Sequence, residues 1–310
     1  MERRQLGKTG LQVSPLGFGS APIGYLDTGV KTTTNILNTL LDAGVNVIDT
    51  CACYPYSEEL VAKAVGHRRD EYILVTKCGH KIDGVPGEEW SKKLILKTVD
   101  RSLTRLKTDH LEVMLLHSCD LSTLRHGEAL EALIRAREAG KILFVGYSGD
   151  NETAAYACNI PDIAVVEISI NICDQINIDT VLPDARRQGT GVLVKRPLAN
   201  AAWKILSDQP GLYKSYAKSY TQRLQAMEIT LEQLGFKGNP ERVWPRIFLR
   251  FVMTQKDVHC VLAGTTRVTN AIENLRSVNQ GPLAEDTEKT IRCAFKSAMF
   301  KKEDEWPGLT

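Results

Sequence analysis

Short apolar runs alternate with amphipathic helical patterns along most of this 310-residue chain. Eight runs have the length and composition of buried strands, and they span residues 15–19, 46–49, 72–77, 111–117, 143–148, 163–169, 191–195 and 259–264. Between them, apolar residues such as Ile95, Val99 and Leu103 recur on one helical face. This alternation predicts parallel strands joined by crossover helices. Eight such units, in a chain somewhat above the roughly 250 residues typical of the fold, predict a closed (β/α)₈ TIM barrel.

Further elements are predicted around the barrel. Residues 4–6 and 11–13 flank a turn at 7–10 and predict an N-terminal β-hairpin, while residues 284–300 predict a C-terminal helix followed by a loop. An insertion before the eighth strand predicts a helix that packs on the barrel or, alternatively, covers the active-site mouth. Its apolar positions, spaced by three or four, are Tyr213, Tyr216, Tyr220, Leu224, Met227, Leu231 and Leu234. No internal boundary is visible, so residues 1–310 are predicted to form one barrel domain.

A doubly wound open sheet is the structural alternative to the barrel. A dinucleotide-binding sheet of that kind carries G-x-G-x-x-G directly after its first strand. Here Gly17, Gly19 and Gly24 have a different spacing, and the pair Gly189 and Gly191 precedes a strand. The pattern therefore favours the barrel, in which a nucleotide must be held by other means.

Charge and composition narrow the class of protein. Lys and Arg number 39 against 37 Asp and Glu, so neither a nucleic acid nor an anionic membrane is expected as a partner. No run approaches the roughly 20 apolar residues of a membrane-spanning helix, and the amino end lacks a signal-peptide pattern, so a cytoplasmic protein is expected. Eight cysteines occur without a C-x-x-C spacing, and the pair Cys51 and Cys53 has no second half in the sequence. No metal site is therefore predicted.

Three ionisable residues stand where predicted strands end: Asp49, Lys77 and His117. Each is in period-2 register with apolar residues of its own strand, so its side chain points towards the barrel interior. The carboxyl ends of barrel strands form the catalytic face. The three groups are therefore expected to converge there.

Tyr54 follows Asp49 by five residues, in a loop that leads to a helix with Ser57 as its expected N-cap. A free phenol titrates near pH 10, and an adjacent ammonium lowers that pKa. Lys77 is predicted to act on Tyr54 in this way, with Asp49 holding the lysine in its charged form. Tyr54, Lys77 and Asp49 are thus candidates for a proton-delivery relay, and His117 for a hydrogen bond to the substrate oxygen.

The segment from Gly44 to Thr50, with Tyr54, Ser57 and Glu58, resembles the signature of the aldo-keto reductases. The resemblance covers nearly the whole chain and includes residues 4–19, 76–77, 115–117 and 262–274. The positions that match the family's catalytic tetrad are Asp49, Tyr54, Lys77 and His117. The resemblance implies that an aldehyde or ketone, a small-molecule carbonyl substrate, receives a hydride from the nicotinamide of NADPH and a proton from Tyr54.

Cofactor contacts are implied by the same resemblance. The loop that begins at Gly264 is similar to the family segment around the adenosine 2′-phosphate and adenine, and backbone N–H groups at a helix start together with Arg267 suit a phosphate. Ser148 matches the serine that binds the nicotinamide amide, whereas Gly149 and Glu167 replace the usual asparagine and glutamine. The aromatic residue that often stacks on the nicotinamide is replaced within residues 195–200, where an Arg or Lys stem is a candidate cover for the ring. The expected contact residues are Gly19, Ser20, Ser148, Glu167, Arg196, Pro197, Leu198, Asn200, Gly264, Thr265, Thr266, Arg267, Asn270 and Asn274.

Two other functions remain open from the sequence. A barrel aldolase would use Lys77 as a Schiff-base nucleophile and residues 264–267 for a substrate phosphate, but it leaves Tyr54 without a role. An NADP(H)-binding regulatory barrel with little catalysis would account for the altered positions Gly149 and Glu167.

Overall fold

Eight parallel strands close into a barrel in the computed structural model, which describes residues 1–211, 213–302 and 305–309. Two hairpin strands come first, β1 Arg4–Gln5 and β2 Gln12–Val13. The eight barrel strands are β3 Leu16–Gly19, β4 Val47–Asp49, β5 Ile73–Cys78, β6 Leu111–His117, β7 Ile142–Ser148, β8 Ile163–Ser169, β9 Gly191–Lys195 and β10 Cys260–Leu262. Around the barrel the order is β10-β3-β4-β5-β6-β7-β8-β9. The predicted (β/α)₈ TIM barrel is confirmed, and each predicted strand corresponds to one barrel strand.

Helices surround the barrel and cover its outer face. Those in the described residues are α1 Ala21–Tyr25, α2 Val30–Asp42, α3 Ser57–Val65, α4 Lys92–Leu106, α5 Leu121–His126, α6 Glu128–Glu138, α7 Asn151–Cys158, α8 Ile176–Thr180, α9 Leu182–Gln188, α10 Tyr213–Ala226, α11 Pro240–Met253, α12 Val268–Asn279 and α13 Glu285–Lys302. None of the helices in these ranges is long and apolar enough to cross a membrane.

The barrel interior is closed at its amino-terminal end by the predicted hairpin, in which β1 pairs antiparallel with β2. Leu6 and Val13 from this hairpin are fully buried against inward-facing apolar residues of the barrel strands, among them Val47, Val75 and Leu193. Side chains two residues further along the same strands point the same way. The inward-facing polar residues at the strand ends therefore lie above these packed apolar residues, at the opposite, carboxyl-terminal face of the barrel.

The insertion helix α10 packs across that face. The Tyr220 hydroxyl donates to Asp174 Oδ2 at 2.9 Å, and Arg223 donates to the carbonyls of Cys173 at 3.2 Å and Pro307 at 2.9 Å. Burial raises the pKa of Asp174 to about 7. Arg223 also lies 5.5 Å from the ring centroid of Trp306, which is buried. The helix and the described part of the carboxyl-terminal tail thus cover the end of β8 together.

Two details of the predicted elements differ from the structure. The insertion helix ends at Ala226, so Met227, Leu231 and Leu234 lie in the following turns. The chain leaves the helical conformation at Glu228, whose φ of 52° is left-handed. The C-terminal helix extends to Lys302, and residues 305–309 of the predicted terminal loop have no regular structure, while 303, 304 and 310 lie outside the described residues.

Candidate active site

A buried ion pair forms the centre of the site. Asp49 is the last residue of β4, and Lys77 lies near the end of the neighbouring strand β5. Lys77 is 1% exposed and Asp49 5%. The ammonium of Lys77 donates hydrogen bonds to Asp49 Oδ1 and, at 3.0 Å, to the carbonyl of Thr50. A buried lysine is tolerated here because it has charged and neutral acceptors.

Glu167 supplies a second carboxylate to the same lysine. Its Oε2 lies 3.1 Å from Lys77 Nζ, and its Oε1 accepts from the Ser148 hydroxyl at 3.2 Å. Glu167 Oε2 is buried and receives no hydrogen bond of good geometry. The sequence places Glu167 among the expected cofactor contacts, but its approach to Lys77 across the barrel interior is not visible in any local pattern.

The two carboxylates determine the charge of the lysine. Burial lowers the pKa of Lys77, but the charges of Asp49 and Glu167 raise it by more, so its net pKa is higher than that of a free lysine. Burial and the charge of Glu167 raise the pKa of Asp49 well above its usual value, against the opposing effect of Lys77. The Lys77 ammonium therefore forms ion pairs with two carboxylates, and Lys77 remains protonated.

Tyr54 lies beside this pair, with the centre of its ring 5.9 Å from Lys77 Nζ. Its pKa contradicts the prediction from the sequence. Burial raises the pKa of Tyr54 well above that of a free phenol, and the nearby Cys51 and Asp49 raise it further. The charge of Glu167 adds to this increase. Tyr54 is thus a protonated phenol at neutral pH.

The loop that carries Tyr54 is held by buried hydroxyl groups. Ser57 was predicted to be the N-cap of α3, but it is the first residue of that helix. Tyr56 occupies the cap position, with a left-handed φ of 55°. The Ser57 hydroxyl instead lies 2.8 Å from the hydroxyls of both Thr50 and Ser20. These contacts join the Tyr54 loop to the ends of β3 and β4, and they engage the side chain of Ser20, which was an expected cofactor contact.

His117 ends β6 and faces two thiols. Its Nδ1 lies 3.3 Å from Cys51 Sγ and 3.7 Å from Cys53 Sγ, and the two sulfur atoms are 2.9 Å apart. Burial and the Lys77 charge lower the pKa of His117 well below that of a free imidazole, so the ring is neutral at pH 7. Burial raises the pKa of Cys51, whereas the hydrogen bond with Cys51 lowers that of Cys53.

This Cys-Cys-His cluster was missed by the sequence analysis. Cys51 and Cys53 are near each other in sequence, but the imidazole comes from another strand, 64 residues beyond Cys53. Cys51 and Cys53 follow Asp49 by two and four residues, so the convergence of strand ends that brings Asp49, Lys77 and His117 together also applies to them. Their position after β4 is the sequence signal that predicts the cluster.

The loop after β10 joins the site next to β3. A Cβ on Gly264 would lie 2.3 Å from the carbonyl oxygen of Gly19, so only glycine permits this close approach. Thr265 Oγ1 accepts from the backbone N–H of Arg267 at 3.1 Å and shapes the turn into α12. Arg267 and Asn270 are exposed, Thr266 is half-buried, and Asn274 is buried. An exposed guanidinium thus stands at the start of a 12-residue helix.

The segment that begins at the end of β9, the candidate cover for the nicotinamide ring, carries two cations, Lys195 and Arg196. The Lys195 ammonium donates to Asp150 Oδ2 at 2.6 Å. Arg196, with a left-handed φ of 53°, donates to the carbonyl of Leu309 and lies 5.8 Å from the Tyr216 ring centroid. Both cations are therefore held by protein groups. Pro197 is buried, Leu198 and Asn200 are half-buried, and Asn200 is also left-handed, with a φ of 51°.

The arrangement brings most of the expected residues to one face. Asp49, Tyr54, Lys77 and His117 lie at the carboxyl end of the barrel, where Glu167 contacts Lys77 and Ser148 donates to Glu167. The arrangement combines a neutral phenol, a fixed ammonium and a neutral imidazole. Such groups donate and orient protons and do not themselves transfer electrons.

Comparison with known proteins agrees with this geometry. The Aldo/keto reductase family profile matches residues 15–294. The chain is 28% identical over 322 residues to the uncharacterized oxidoreductase YqkF of Bacillus subtilis (strain 168), covering 97% of this chain and 99% of that protein. It is 27% identical over 295 residues to L-galactose dehydrogenase of Arabidopsis thaliana, covering 90% and 89% of the two chains.

A solved structure extends the comparison to three dimensions. The holo form of aldo-keto reductase AKR11C1 from Bacillus halodurans superposes with a TM-score of 0.79 at 25% identity, covering 95% of this chain and 96% of that one. Sequence profile, relatives and fold agree along nearly the whole chain, and they support an oxidoreductase. The protein therefore belongs to the aldo-keto reductase family.

Proposed function

We propose that the protein is an NADPH-dependent carbonyl reductase in which Tyr54 is the general acid. The observation that carries the proposal is the protonated Tyr54 beside an ammonium that two carboxylates hold in place. A group that delivers a proton at neutral pH must carry it at that pH. Tyr54 carries its proton at neutral pH, and the nearby Lys77 ammonium offsets the raised pKa of the phenol when the proton leaves.

The other tetrad residues have distinct parts in this proposal. Lys77 presents a fixed positive charge towards Tyr54, which stabilises the phenolate left after proton transfer. Asp49 fixes the position of Lys77 by a buried hydrogen bond. His117, a neutral imidazole, donates a hydrogen bond to the substrate oxygen without competing for the proton.

Glu167 and Ser148, which lie next to Lys77, fit the nicotinamide end of a cofactor. Glu167 Oε2 is buried, and its 3.1 Å contact with Lys77 Nζ lacks hydrogen-bond geometry, so this oxygen can accept from the NH₂ of a carboxamide. Ser148 lies next to it and offers a hydroxyl. When bound there, reduced nicotinamide supplies the hydride for carbonyl reduction. Glu167 and Ser148 would orient its amide.

The opposite end of the cofactor is assigned to the loop after β10. Arg267 is exposed, and among the described residues its guanidinium has no ion-pair partner. A guanidinium at a helix amino terminus suits a 2′-phosphate, which distinguishes NADPH from NADH. Asn270 and Asn274, one turn apart on α12, are the proposed contacts for the adenosine.

We expect Arg267→Ala to weaken NADPH binding by about 10- to 100-fold, because a hydrogen bond to a charged group contributes about 1.5–3 kcal/mol. NADH binding should change little, since NADH lacks the 2′-phosphate. The measurement is quenching of tryptophan fluorescence on titration with each cofactor. The matched control is Arg276→Ala, which removes an exposed arginine of the same helix that is paired with Glu273 at 2.5 Å. Equal weakening of both cofactors by Arg267→Ala would contradict the assignment.

Glu167 also favours a second candidate, a regulatory barrel that binds NADP(H) and turns over weakly. A carboxylate accepts from a carboxamide NH₂ but cannot donate to its carbonyl, and here it also approaches Lys77. Cofactor binding without repeated turnover of any simple aldehyde would support this candidate.

For either candidate function we expect Glu167→Gln to tighten cofactor binding severalfold, because glutamine provides both a donor and an acceptor and leaves Asp49 paired with Lys77. Unchanged or weaker binding in this variant would argue against contact between Glu167 and the nicotinamide.

The aldolase alternative loses support from the state of Lys77. A Schiff-base lysine must be deprotonated to attack a carbonyl. Lys77 has a raised pKa and is paired with two carboxylates, which hold its ammonium charged. The geometry thus suits a lysine that orients charge better than one that acts as a nucleophile.

A further inference from the structure

Two thiols that have no part in the proposed proton transfer, those of Cys51 and Cys53, lie against the imidazole of the tetrad residue His117. Cys51 Sγ, Cys53 Sγ and His117 Nδ1 are mutually separated by 2.9, 3.3 and 3.7 Å. Within residues 1–211, 213–302 and 305–309, this is the group of three His, Cys, Asp or Glu side chains whose ligand atoms converge closely enough to share an ion.

We propose that Cys51, Cys53 and His117 bind a zinc ion. Two thiolates and an imidazole nitrogen are ligands that zinc prefers, whereas magnesium and calcium prefer oxygen. The chain places no carboxylate in this group. The chemical class of the ligand is therefore a borderline-soft divalent cation.

The distances suit a tetrahedral ion. Zinc bonds of about 2.3 Å to sulfur and 2.0–2.1 Å to nitrogen place the ligand atoms of a tetrahedron about 3.5–3.8 Å from one another. The two sulfur-to-nitrogen distances, 3.3 and 3.7 Å, are already close to this range. The sulfur-to-sulfur distance of 2.9 Å must widen by about 0.9 Å. Cys53 is half-buried, so rotation of its side chain can provide this opening.

The surroundings also favour a metal ion over a larger ligand. The three residues line a small recess together with His80 and Lys77, and this recess has no room for a water molecule. An ion bound directly by side chains needs less space, and we assign its fourth tetrahedral position to the imidazole of His80, whose ring centroid is 5.0 Å from that of His117. The backbone N–H of Cys53 points at Cys51 Sγ, 3.4 Å away, and such a hydrogen bond stabilises a thiolate. Two thiolates would balance the dication, while the Lys77 charge is already offset by Asp49 and Glu167.

Zinc at this position leaves the other ring nitrogen of His117 available. An imidazole that coordinates through Nδ1 keeps its proton on Nε2. The tautomer that a bound zinc would impose is therefore one that still donates a hydrogen bond. The metal site does not depend on the proposed reductase activity, and its test uses metal binding alone.

The experiment is a titration of the full chain with Co²⁺, after removal of metal and reduction of all thiols with a phosphine under anaerobic conditions. Co²⁺ replaces zinc in tetrahedral sites and is coloured. We expect one equivalent to bind with a sulfur-to-cobalt charge-transfer band and visible bands of tetrahedral cobalt, and Zn²⁺ to displace it. Cys53→Ser, Cys51→Ser and His117→Ala should each weaken binding by more than about 100-fold, because losing even an outer partner of a ligand costs about 10- to 100-fold.

The matched control is Cys293→Ser, which removes the exposed thiol of α13 and should leave the cobalt spectrum and affinity unchanged. Cys53→Ser is the decisive variant, since a half-buried position tolerates the change better than the fully buried Cys51. Circular dichroism establishes that each variant is folded. Absence of a tetrahedral cobalt spectrum in the reduced wild type, or its persistence in folded Cys53→Ser, would overturn the proposal.

Discussion

Tyr54→Phe is expected to reduce kcat for aldehyde reduction by about 10²- to 10⁴-fold, the usual contribution of a general acid. The substitution removes one oxygen and leaves the ring, which packs 5.5 Å from Tyr25 and 5.9 Å from Lys77 Nζ. The dissociation constant for NADPH should therefore stay nearly unchanged. Steady-state kinetics with simple aldehydes and fluorescence titration of the cofactor measure the two quantities separately.

The matched control is Tyr56→Phe, which makes the same change two residues further along the loop. Tyr56 is 72% exposed, so its variant should retain full activity. Comparable losses of turnover and cofactor binding in Tyr54→Phe would mean that Tyr54 has a structural role. Full turnover in that variant would refute the assignment of the general acid.

The pH dependence of the wild type follows from the same residue. Because the pKa of Tyr54 is raised, its proton is present through neutral pH and is lost only at strongly alkaline pH. Reduction should thus be independent of the Tyr54 ionisation across neutral pH and decline only in alkali. Oxidation of the product alcohol needs the phenolate and should increase with pH. A decline of kcat for reduction near neutrality that disappears in Tyr54→Phe would contradict the raised pKa.

Lys77→Met is expected to abolish measurable turnover and to lower the free energy of unfolding by about 3–5 kcal/mol at neutral pH. Methionine fills the space of the lysine stem, but Asp49 and Glu167 then remain buried without a cation. The loss should grow as pH rises, because the carboxylates must ionise, and diminish as pH falls and they bind protons. Denaturant unfolding at several pH values measures this dependence.

A double variant distinguishes the cost of the unpaired carboxylates from the cost of altered packing at Lys77. Asp49→Asn in the Lys77→Met background removes one of the unpaired carboxylates and should recover part of the lost stability. The same Asp49→Asn change in the wild type should be neutral or destabilising, because it removes a partner of Lys77. Additive effects of the two substitutions would show that the ion pair contributes nothing to the fold.

Much of the barrel could be predicted because local patterns report directly on it. Every predicted strand was found, and β6, β8 and β9 have the predicted bounds. The prediction of the insertion helix was less accurate, because the helical spacing of apolar residues continues past Ala226 into turns where no helix forms. Spacing alone does not register a left-handed residue such as Glu228, at which the backbone changes direction.

Side-chain contacts across the barrel interior could be identified only from the tertiary structure. Lys77 and Asp49 lie on adjacent strands, and their pairing could be anticipated from strand order. Glu167 lies on β8, three strands away from β5, and meets Lys77 only because both side chains point into the same narrow interior. Burial is the main reason that Tyr54 has a raised pKa, where the sequence predicted a lowered one, and the charge of Glu167 adds to it.

The sequence by itself determined the barrel, the hairpin that closes it and the convergence of Asp49, Lys77 and His117. The reason is that period-2 alternation decides which side chains of a strand face inward, and parallel strands end on one face. The tertiary structure alone decided that Glu167 shares Lys77, that Ser57 binds Ser20, and that His117 faces two thiols. Those contacts depend on distances between segments far apart in sequence, which only the closed barrel sets.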